Sequence, residues 1–381
     1  MTDQITEYQE SKILIEWFEK NKRNLPWRNT KDPYFVWISE IILQQTRVNQ
    51  GLAFYLRFIG RFPDIKSLAE ADQAEVLKFW QGLGYYSRAR NLHEAAKSIQ
   101  ANFQGVFPQR YEDVLTLKGI GSYTAAAIVS IVWNQPYPVL DGNVFRVLGR
   151  LFAMTVAYDT GEGRKQYEAL ARLLMNPLQA GLHNQAIMEF GALQCVPQKP
   201  DCSQCPLQNK CLGFASGDPL QFPVKQHIIN VRARYFNYFF IVHKDLRCTC
   251  LSRRLKKDIW EGLFEFPLIE TARSMDFEEL QDTAPFKALF GDATCLTFTV
   301  VSGEVKHVLT HQILYVRFYR VEIQEANLQP RNNIALTDQP AEKIIQSALP
   351  GLNHFISVPL DHLDDYAFPR PIHRFLPILL Q

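Results

Sequence analysis

Leu117-Lys118-Gly119-Ile120-Gly121-Ser122-Tyr123-Thr124-Ala125 is the stretch on which the reading of the first half of the chain turns. Two glycines flank one apolar residue and open an alanine-rich segment, so the backbone turns tightly and enters a helix predicted over 123–132. Without side chains on the glycines, the amides at the helix N-terminus are open to a phosphate, which the orphan N–H groups and the helix dipole both favour. An ordinary glycine C-cap followed by a capped helix accounts for Gly119 alone. It leaves unexplained the pair Gly119 and Gly121 with Ala125, Ala126 and Ala127 behind them, a run suited to close helix packing. The pattern is that of a helix-hairpin-helix.

On either side the texture stays helical up to about Gly217. Asp32-Pro33 supplies an N-cap and a proline at the first helical position, after which Val36, Ile38, Ile41 and Ile42 lead to Gln44-Gln45-Thr46. Further helices are predicted at 48–59, 71–80, 87–102, 143–152 and 165–175. Gly217-Asp218-Pro219 through Val224 reads as a linker. Beyond it, the aromatic and β-branched segments 234–242, 263–268, 296–301 and 312–323 predict a mixed α/β region. The fold class that follows is a mainly α region joined to a C-terminal α/β domain.

With 381 residues, 47% of them hydrophobic, the chain can fill two cores. Its net charge of +2 means that nucleic-acid binding has to come from a local patch. No apolar run reaches membrane-spanning length, and the N-terminus MTDQITEYQESKILIEWFEK has neither signal-peptide nor transit-peptide layout. A cytoplasmic protein without a membrane partner is expected. Seven cysteines, four of them clustered, fit a metal site in a reducing compartment better than a disulfide framework.

Those four, Cys195, Cys202, Cys205 and Cys211, are spaced C-x6-C-x2-C-x5-C with Pro206 after the third. Thiolates gathered in one turn-rich segment suit a [4Fe-4S] cage. Zinc accepts the same ligands. Zinc modules usually present two C-x2-C halves, and one is present here, so the spacing favours the cluster. Cys248, Cys250 and Cys295 lie in or near strand-like segments and read as buried structural cysteines. Between hairpin and cysteines, Val139-Leu140-Asp141-Gly142-Asn143-Val144-Phe145-Arg146 is an apolar approach to an aspartate. Asp141 either simply caps a helix or holds its carboxylate at the mouth of a cleft, facing positive charge that develops on a sugar. The motif alone leaves both open.

Together and in this order, the glycine hairpin, Asp141 and the four-cysteine segment resemble the endonuclease III superfamily of DNA glycosylases. Within it, Leu25-Pro26-Trp27-Arg28, Val36-Trp37-Ile38-Ser39-Glu40, Leu43-Gln44-Gln45-Thr46-Arg47, Gly82-Leu83-Gly84-Tyr85-Tyr86-Ser87-Arg88-Ala89-Arg90 and Leu140-Asp141-Gly142-Asn143-Val144 resemble the MutY-type adenine DNA glycosylases. The resemblance spans nearly the whole first domain. It implies that Glu40 protonates N7 of a flipped adenine, that Asp141 stabilises the oxocarbenium-like sugar, and that Asn143 positions Asp141 or the water. A carboxyl set among Trp37, Ile41 and Leu43 tends toward the raised pKa that such an acid requires. Tyr123 stands where bifunctional relatives carry a Schiff-base lysine, so the resemblance implies a monofunctional enzyme that leaves an abasic site.

By the same resemblance, Trp27, Arg28, Leu43 and Glu189 surround the extruded adenine, with Glu189 accepting from its exocyclic amine. Gln45, Thr46 and Tyr85 fill the vacated stack and read 8-oxoguanine opposite. Arg47, Leu83, Arg88, Gly119, Gly121, Ser122 and Lys199 belong to the DNA-facing set, with Arg90 beside them. The implied cofactors are one [4Fe-4S] cluster on the four cysteines and a structural cation at the hairpin backbone. The implied partner is double-stranded DNA carrying an 8-oxoguanine:adenine mispair, bound by a monomer.

The expected division is a helical glycosylase domain at 1–218, a linker at 219–232 and a MutT-like (Nudix-fold) domain at 233–381. The first comprises a six-helix-barrel part at about 30–134 and a cluster part at 1–29 and 135–218. In the second, Trp260-Glu261-Gly262-Leu263-Phe264-Glu265-Phe266-Pro267 carries the likeness. Residues 269–280 lack the Arg-Glu-x-x-Glu-Glu set with which active Nudix hydrolases bind divalent metal, so no pyrophosphohydrolase activity is expected. Leu309, Thr310 and His311 fall where the family carries a Phe-Ser-His loop that detects 8-oxoguanine. A threonine hydroxyl keeps the donor and acceptor of serine, whereas leucine lacks the aromatic wedge.

Overall fold

The computed structural model describes residues 8–227, 230–243, 246–255, 257–291, 296–323, 349–352 and 354–380. It divides into two compact units: Met1–Ala71 with Arg90–Ile228, and Asp72–Ala89 with Ile229–Gln381. In chain order the helices are α1 (Gln9–Asn21), α2 (Pro33–Leu43), α3 (Val48–Arg61), α4 (Ile65–Glu70), α5 (Gln73–Trp80), α6 (Ser87–Asn102), α7 (Tyr111–Thr116) and α8 (Ser122–Trp133). They continue with α9 (Gly142–Leu151), α10 (Gly161–Leu174), α11 (Ala180–Leu193), α12 (Leu212–Ala215), α13 (Phe277–Gln281), α14 (Ala284–Phe290) and α15 (Arg370–Leu379). None among the described residues is long and apolar enough to cross a membrane.

The first unit is built around α2, α8 and α11. Asp32 caps α2 by accepting from Tyr34 N at 2.8 Å, and Pro33 takes the first position, where its missing N–H costs nothing. The helix that follows, PYFVWISEIIL, is apolar nearly all round and buried from Val36 to Ile42. Such a helix needs partners on several faces. One is α8, whose Ala125, Ala126 and Ala127 are buried, as a close approach requires. Backbones also come close where α11 meets α8: a side chain at Gly181 would stand 2.3 Å from the Ser130 carbonyl oxygen.

Asn184 on α11 secures the strand of chain that leads to Asp141. It donates to Ser130 Oγ and the Tyr137 carbonyl, both at 2.8 Å, and accepts from Val139 N at 3.2 Å, the first and last of these bonds being buried. Satisfied buried amides of this kind fix one geometry because the alternatives leave unpaired groups.

The second unit holds an eight-stranded mixed sheet. Its strands are β1 (Arg232–His243), β2 (Cys248–Arg253), β3 (Phe264–Glu265), β4 (Leu268–Thr271), β5 (Leu296–Val300), β6 (Val305–Val308), β7 (Gln312–Ile323) and β8 (Ile356–Pro359). The main order is β3-β2-β1-β7-β5, with β4 on β1, β6 on β7 and β8 on β2. β1 and β7 run parallel, in register from Arg232 opposite Gln312 to Val242 opposite Glu322. The two-residue period puts Phe236, Tyr238, Phe240, Leu314, Val316 and Phe318 on one face, under α15. Phe239, Ile241, Tyr319 and Val321 lie on the other, with Cys248, Cys250 and the phenylalanines of α14. Cys248 and Cys250 are therefore core residues, while Cys295 lies outside the described residues.

A clean break at 219–232 does not describe this division. Residues 72–89, expected in the helical domain, group with the second unit. Polar ties join this segment to the rest of the unit: Lys78 Nζ donates to the Tyr366 carbonyl at 3.2 Å, the Phe368 amide to Gln81 Oε1 at 3.4 Å, and Arg253 to Gln73 Oε1 at 3.1 Å.

Truncating Asn184→Ala leaves the buried Val139 amide without its partner and removes the bond to Ser130 Oγ. The expected loss is about 2 kcal/mol of stability, read as a lower midpoint of thermal unfolding of the full chain. An unchanged midpoint would show that Asn184 does not hold this segment.

Candidate active site

The hairpin that opens the site is made by α7, a turn and α8. Gly119 has φ +79°, a left-handed conformation that suits glycine, and its bare Cα lies against Asn91. Gly121 differs: it caps α8 in an extended conformation and has open space where a side chain would stand. The first intrahelical bond runs from Ala125 N to Gly121 O, so the amides of Ser122, Tyr123 and Thr124 are the orphans of the helix start.

A cleft of about 830 Å³ opens beside this hairpin. Its walls bring together Trp27, Arg28, Glu40, Leu43, Gln45, Thr46, Arg47, Tyr123, Asp141, Asn143 and Glu189, residues from distant parts of the sequence. Glu40 comes from the last turn of α2 and is 8% exposed. Burial, together with the nearby Asp141 charge, raises its pKa to about 7, although the Tyr123 hydroxyl and Arg28 act in the opposite sense. That hydroxyl donates to Glu40 Oε2 at 2.8 Å and lies 3.2 Å from Met188 Sδ.

Asp141 caps α9, accepting from the amides of Asn143 and Val144 at 2.9 and 2.8 Å and from the Asn143 side chain at 2.8 Å. Burial raises its pKa, and these donors and Arg146 pull it back. The simple helix cap and the carboxylate at the cleft, alternatives in the sequence, are one and the same group.

Glu189 differs from the sequence expectation. Its two oxygens accept five N–H groups at 2.5–2.9 Å: the backbone amide, Nε and Nη2 of Arg23, and Nη1 and Nη2 of Arg28. A carboxylate offers about four lone-pair sites, so an incoming exocyclic amine has to displace a resident donor. Burial alone would raise its pKa; the hydrogen bonds from Arg28 and Arg23 prevail and hold it at about 2.

Arg146, one turn along α9 from Asn143, is a further site residue that the motif reading passed over. It donates to Asn143 Oδ1 at 2.8 Å, the Gly191 carbonyl at 2.6 Å and the Cys195 carbonyl at 2.7 Å. Its position three residues after Asn143 was the available signal, since that spacing shares a helix face. Arg23, Gln185 and Met188 line the cleft with no comparable signal in the sequence.

Cys195, Cys202, Cys205 and Cys211 line a second, small cavity. Burial raises the pKa of Cys202 and Cys211 and brings Cys205 to about 11, and the neighbouring thiols add to each rise. Four thiolates therefore need a cationic centre among them. Arg150, 3% exposed, frames the cavity: it donates to Cys195 Sγ at 3.4 Å and to the carbonyls of Val196 and Pro197 at 2.7 and 2.9 Å.

Gln45 stands at the cleft with φ +55°, and Lys199 is exposed in the cysteine segment with φ +51°. Leu83, Tyr85, Arg88, Leu309, Thr310 and His311 belong to the second unit, and Arg90 to the first. Tyr85 is exposed with φ +48°, and its hydroxyl bonds to Thr310 Oγ1. His311 is exposed, whereas Leu309 packs against the core under α15. Two expectations need correction. Leu83 is buried, and Arg88 is not on a solvated face: its guanidinium lies over Trp80 and Tyr85 and donates to the Gly84 carbonyl. Flat aromatic neighbours accept a guanidinium readily, and burial lowers the Arg88 pKa to about 10.

Residues 38–176 match the model for the HhH-GPD superfamily of base excision DNA repair proteins, and residues 237–377 match that of the NUDIX domain. The adenine DNA glycosylase of Buchnera aphidicola subsp. Schizaphis graminum is 37% identical over 269 residues, covering 70% of this chain and 77% of that protein. The one from Buchnera aphidicola subsp. Baizongia pistaciae is 32% identical over 325 residues, 84% of this chain and 88% of that protein. The Homo sapiens adenine DNA glycosylase is 41% identical over 207 residues, 52% of this chain and 38% of that protein. A solved thermostable thymine-DNA glycosylase aligns with a TM-score of 0.51 and 26% identity, covering 54% of this chain and 95% of that one. With a cleft that gathers the carboxyls of Glu40, Asp141 and Glu189 beside a helix-hairpin-helix, and relatives matched over most of its length, the chain belongs to the adenine DNA glycosylase family of base excision repair.

Proposed function

We propose that this glycosylase removes adenine opposite 8-oxoguanine by acid-catalysed hydrolysis and leaves the strand uncut. The observation that carries the reading is Glu40, a buried carboxyl whose pKa of about 7 keeps a proton available at neutral pH, in one cleft with Asp141. Glu40 gives its proton to N7 of the flipped base. The C1′–N9 bond then breaks with its electron pair leaving on adenine, and the positive charge left on the sugar faces Asp141. Water adds to C1′ and releases a proton, giving an abasic site. Asn143, bonded to both the cap and Arg146, holds Asp141 in place for this step.

Tyr123 supports the monofunctional reading, because a phenol forms no Schiff base and no lysine lines the described cleft. Trp27 and Leu43 supply apolar walls for the base, and Arg28 and Glu189 supply its polar contacts. In the first unit Gln45 and Thr46 fill the place of the flipped base, while Gly119, Gly121, Ser122, Arg47 and Lys199 take the backbone; in the second unit Tyr85, Thr310 and His311 carry the groups that read 8-oxoguanine. Cys195, Cys202, Cys205 and Cys211 would hold a [4Fe-4S] cluster, which supplies no proton or nucleophile but fixes the segment that presents Lys199. Arg150 and Arg146 order this segment from the protein side.

Duplex DNA carrying the adenine:8-oxoguanine mispair tests the reading directly. Adenine release is expected with strand cleavage only after alkali; nicking without alkali, trapped by borohydride, would overturn it. Glu40→Gln is expected to lower the single-turnover rate by about 10²-fold or more with DNA affinity retained.

The pH dependence follows from the sign of the Glu40 shift. The acid acts while protonated, so the single-turnover rate is expected to fall above pH of about 7, approaching about tenfold per unit. A profile flat to pH of about 9 would remove Glu40 from this role.

Gly191→Ala tests the support of Asp141. The new Cβ would stand 2.6 Å from Asn143 Cβ and 3.0 Å from the Asn143 carbonyl oxygen, so the start of α9 must shift. A fall of about ten- to a hundredfold in the single-turnover rate is expected, with the dissociation constant for DNA little changed.

A further inference from the structure

The second unit carries two cations for which the functions above have no use. Arg370 and Arg374 stand one turn apart on α15, both exposed, while Ile372, Leu376 and Leu379 of the same helix are buried in the core. Among the described residues neither guanidinium has a hydrogen bond or an ion pair with an acid. Asp365, in the preceding turn, is taken by His362 at 2.9 Å. The placement is unfavourable by itself. Like charges four residues apart repel, and Arg370 sits in the first turn of a helix, where the dipole already presents positive charge.

The surroundings, all within the second unit, indicate what would relieve that repulsion. The amide of Phe368 donates to Gln81 Oε1 and the Tyr366 carbonyl accepts from Lys78 Nζ, so the start of α15 lies beside the loop Gly82–Tyr86. That loop carries Tyr85, whose hydroxyl meets Thr310. Leu309, next to Thr310, packs on the same core cluster as Ile372 and Leu376. Burial lowers the pKa of His307, and the charges of Arg370 and Arg374 lower it further, so both guanidiniums are near the strand that leads into the Leu309–His311 turn. Arg370 also acts on Tyr86.

We propose that Arg370 and Arg374 form a phosphate-binding patch that seats the DNA backbone beside the base read by Tyr85 and Thr310. The proposal rests on the reading that this unit faces damaged DNA. The occupant is a polyanion at close spacing: two guanidiniums one helical turn apart suit adjacent phosphates of one strand, and their fork geometry matches phosphate oxygens. Because the contact is to the backbone, it adds affinity without sequence preference.

The test uses the full chain and two duplexes of equal length, one with the adenine:8-oxoguanine mispair and one undamaged. Dissociation constants are measured at salt concentrations from about 50 to 200 mM. For Arg370→Gln/Arg374→Gln, the slope of log affinity against log salt is expected to become shallower by about 0.9 for each arginine lost, on both duplexes. Arg370→Lys/Arg374→Lys is expected to keep the wild-type slope, and adenine release at saturating enzyme is expected to be unchanged in both variants. An unchanged slope in the glutamine variant would overturn the proposal. An equal loss in the lysine variant would overturn it too, since it would indicate a packing role. Unchanged DNA slopes with capture of an acidic protein would assign the patch to that partner instead. If the wild-type protein released no adenine, the proposed function would fail while the slopes still reported on the patch.

Discussion

The carboxylate of Asp141 is the group on which the first unit depends. A carboxylate withdrawn from water must find donors or take up a proton. Its donors here are the first amides of α9 and the Asn143 side chain, so the bonds that keep the charge in the cleft also start the helix. One turn later Arg146 returns to Asn143 and reaches on to the Cys195 carbonyl. The cysteine segment buries little of its own apolar surface beyond Leu207, and its order comes from such polar ties. Arg150 contributes most of the others, spending its N–H groups on Cys195, Val196, Pro197, Pro219 and Phe222. A disturbance at the cysteines can thus reach the cleft through hydrogen bonds that all lie within one helix and the turn that it meets.

Three carboxyls share the cleft, and their surroundings separate them. Glu189, between two guanidiniums, is ionised under all ordinary conditions. Glu40, with burial dominant and a single phenol as donor, keeps its proton near neutrality. Asp141 is also raised by burial, but backbone and side-chain donors that never titrate oppose the rise. The contrast between Glu189 and Glu40 follows from donor count and kind: five N–H groups, four of them on guanidiniums, against one hydroxyl. Only the last leaves a carboxyl fit to act as an acid. The charge of Asp141 helps to keep the proton on Glu40.

Much of this was legible from residues whose roles are local. The glycine pair, the Asp32-Pro33 cap, the Asp141 cap and the cysteine spacing each specify a backbone turn, and turns follow from short stretches of sequence. The long strands β1 and β7 were legible too, because their aromatic and β-branched runs extend over most of a dozen residues. What the sequence did not disclose depends on groups distant along the chain. Arg23 lies 166 residues from Glu189, and no spacing rule joins them. Arg88 reads as a surface cation until Trp80 and Tyr85 are seen to enclose it. Residues 72–89 are joined to the rest of the second unit by side-chain bonds to Tyr366, Phe368 and Arg253, which no helical pattern contains.

The distribution of positive charge draws the two units into one account. A chain with a net charge of +2 cannot hold DNA by its overall field. Three of the arginines that line the cleft are already committed: Arg23 and Arg28 bind Glu189, and Arg146 serves carbonyls and Asn143. Such cations shape the base pocket, but they add little attraction for a phosphate, because their charge and donors are occupied. The sheet of the second unit is covered on both faces, which confines recognition there to its loops and helix ends. Affinity for the backbone then rests on the orphan amides of the hairpin and on exposed cations within each unit, and selectivity on side chains that are already held by partners.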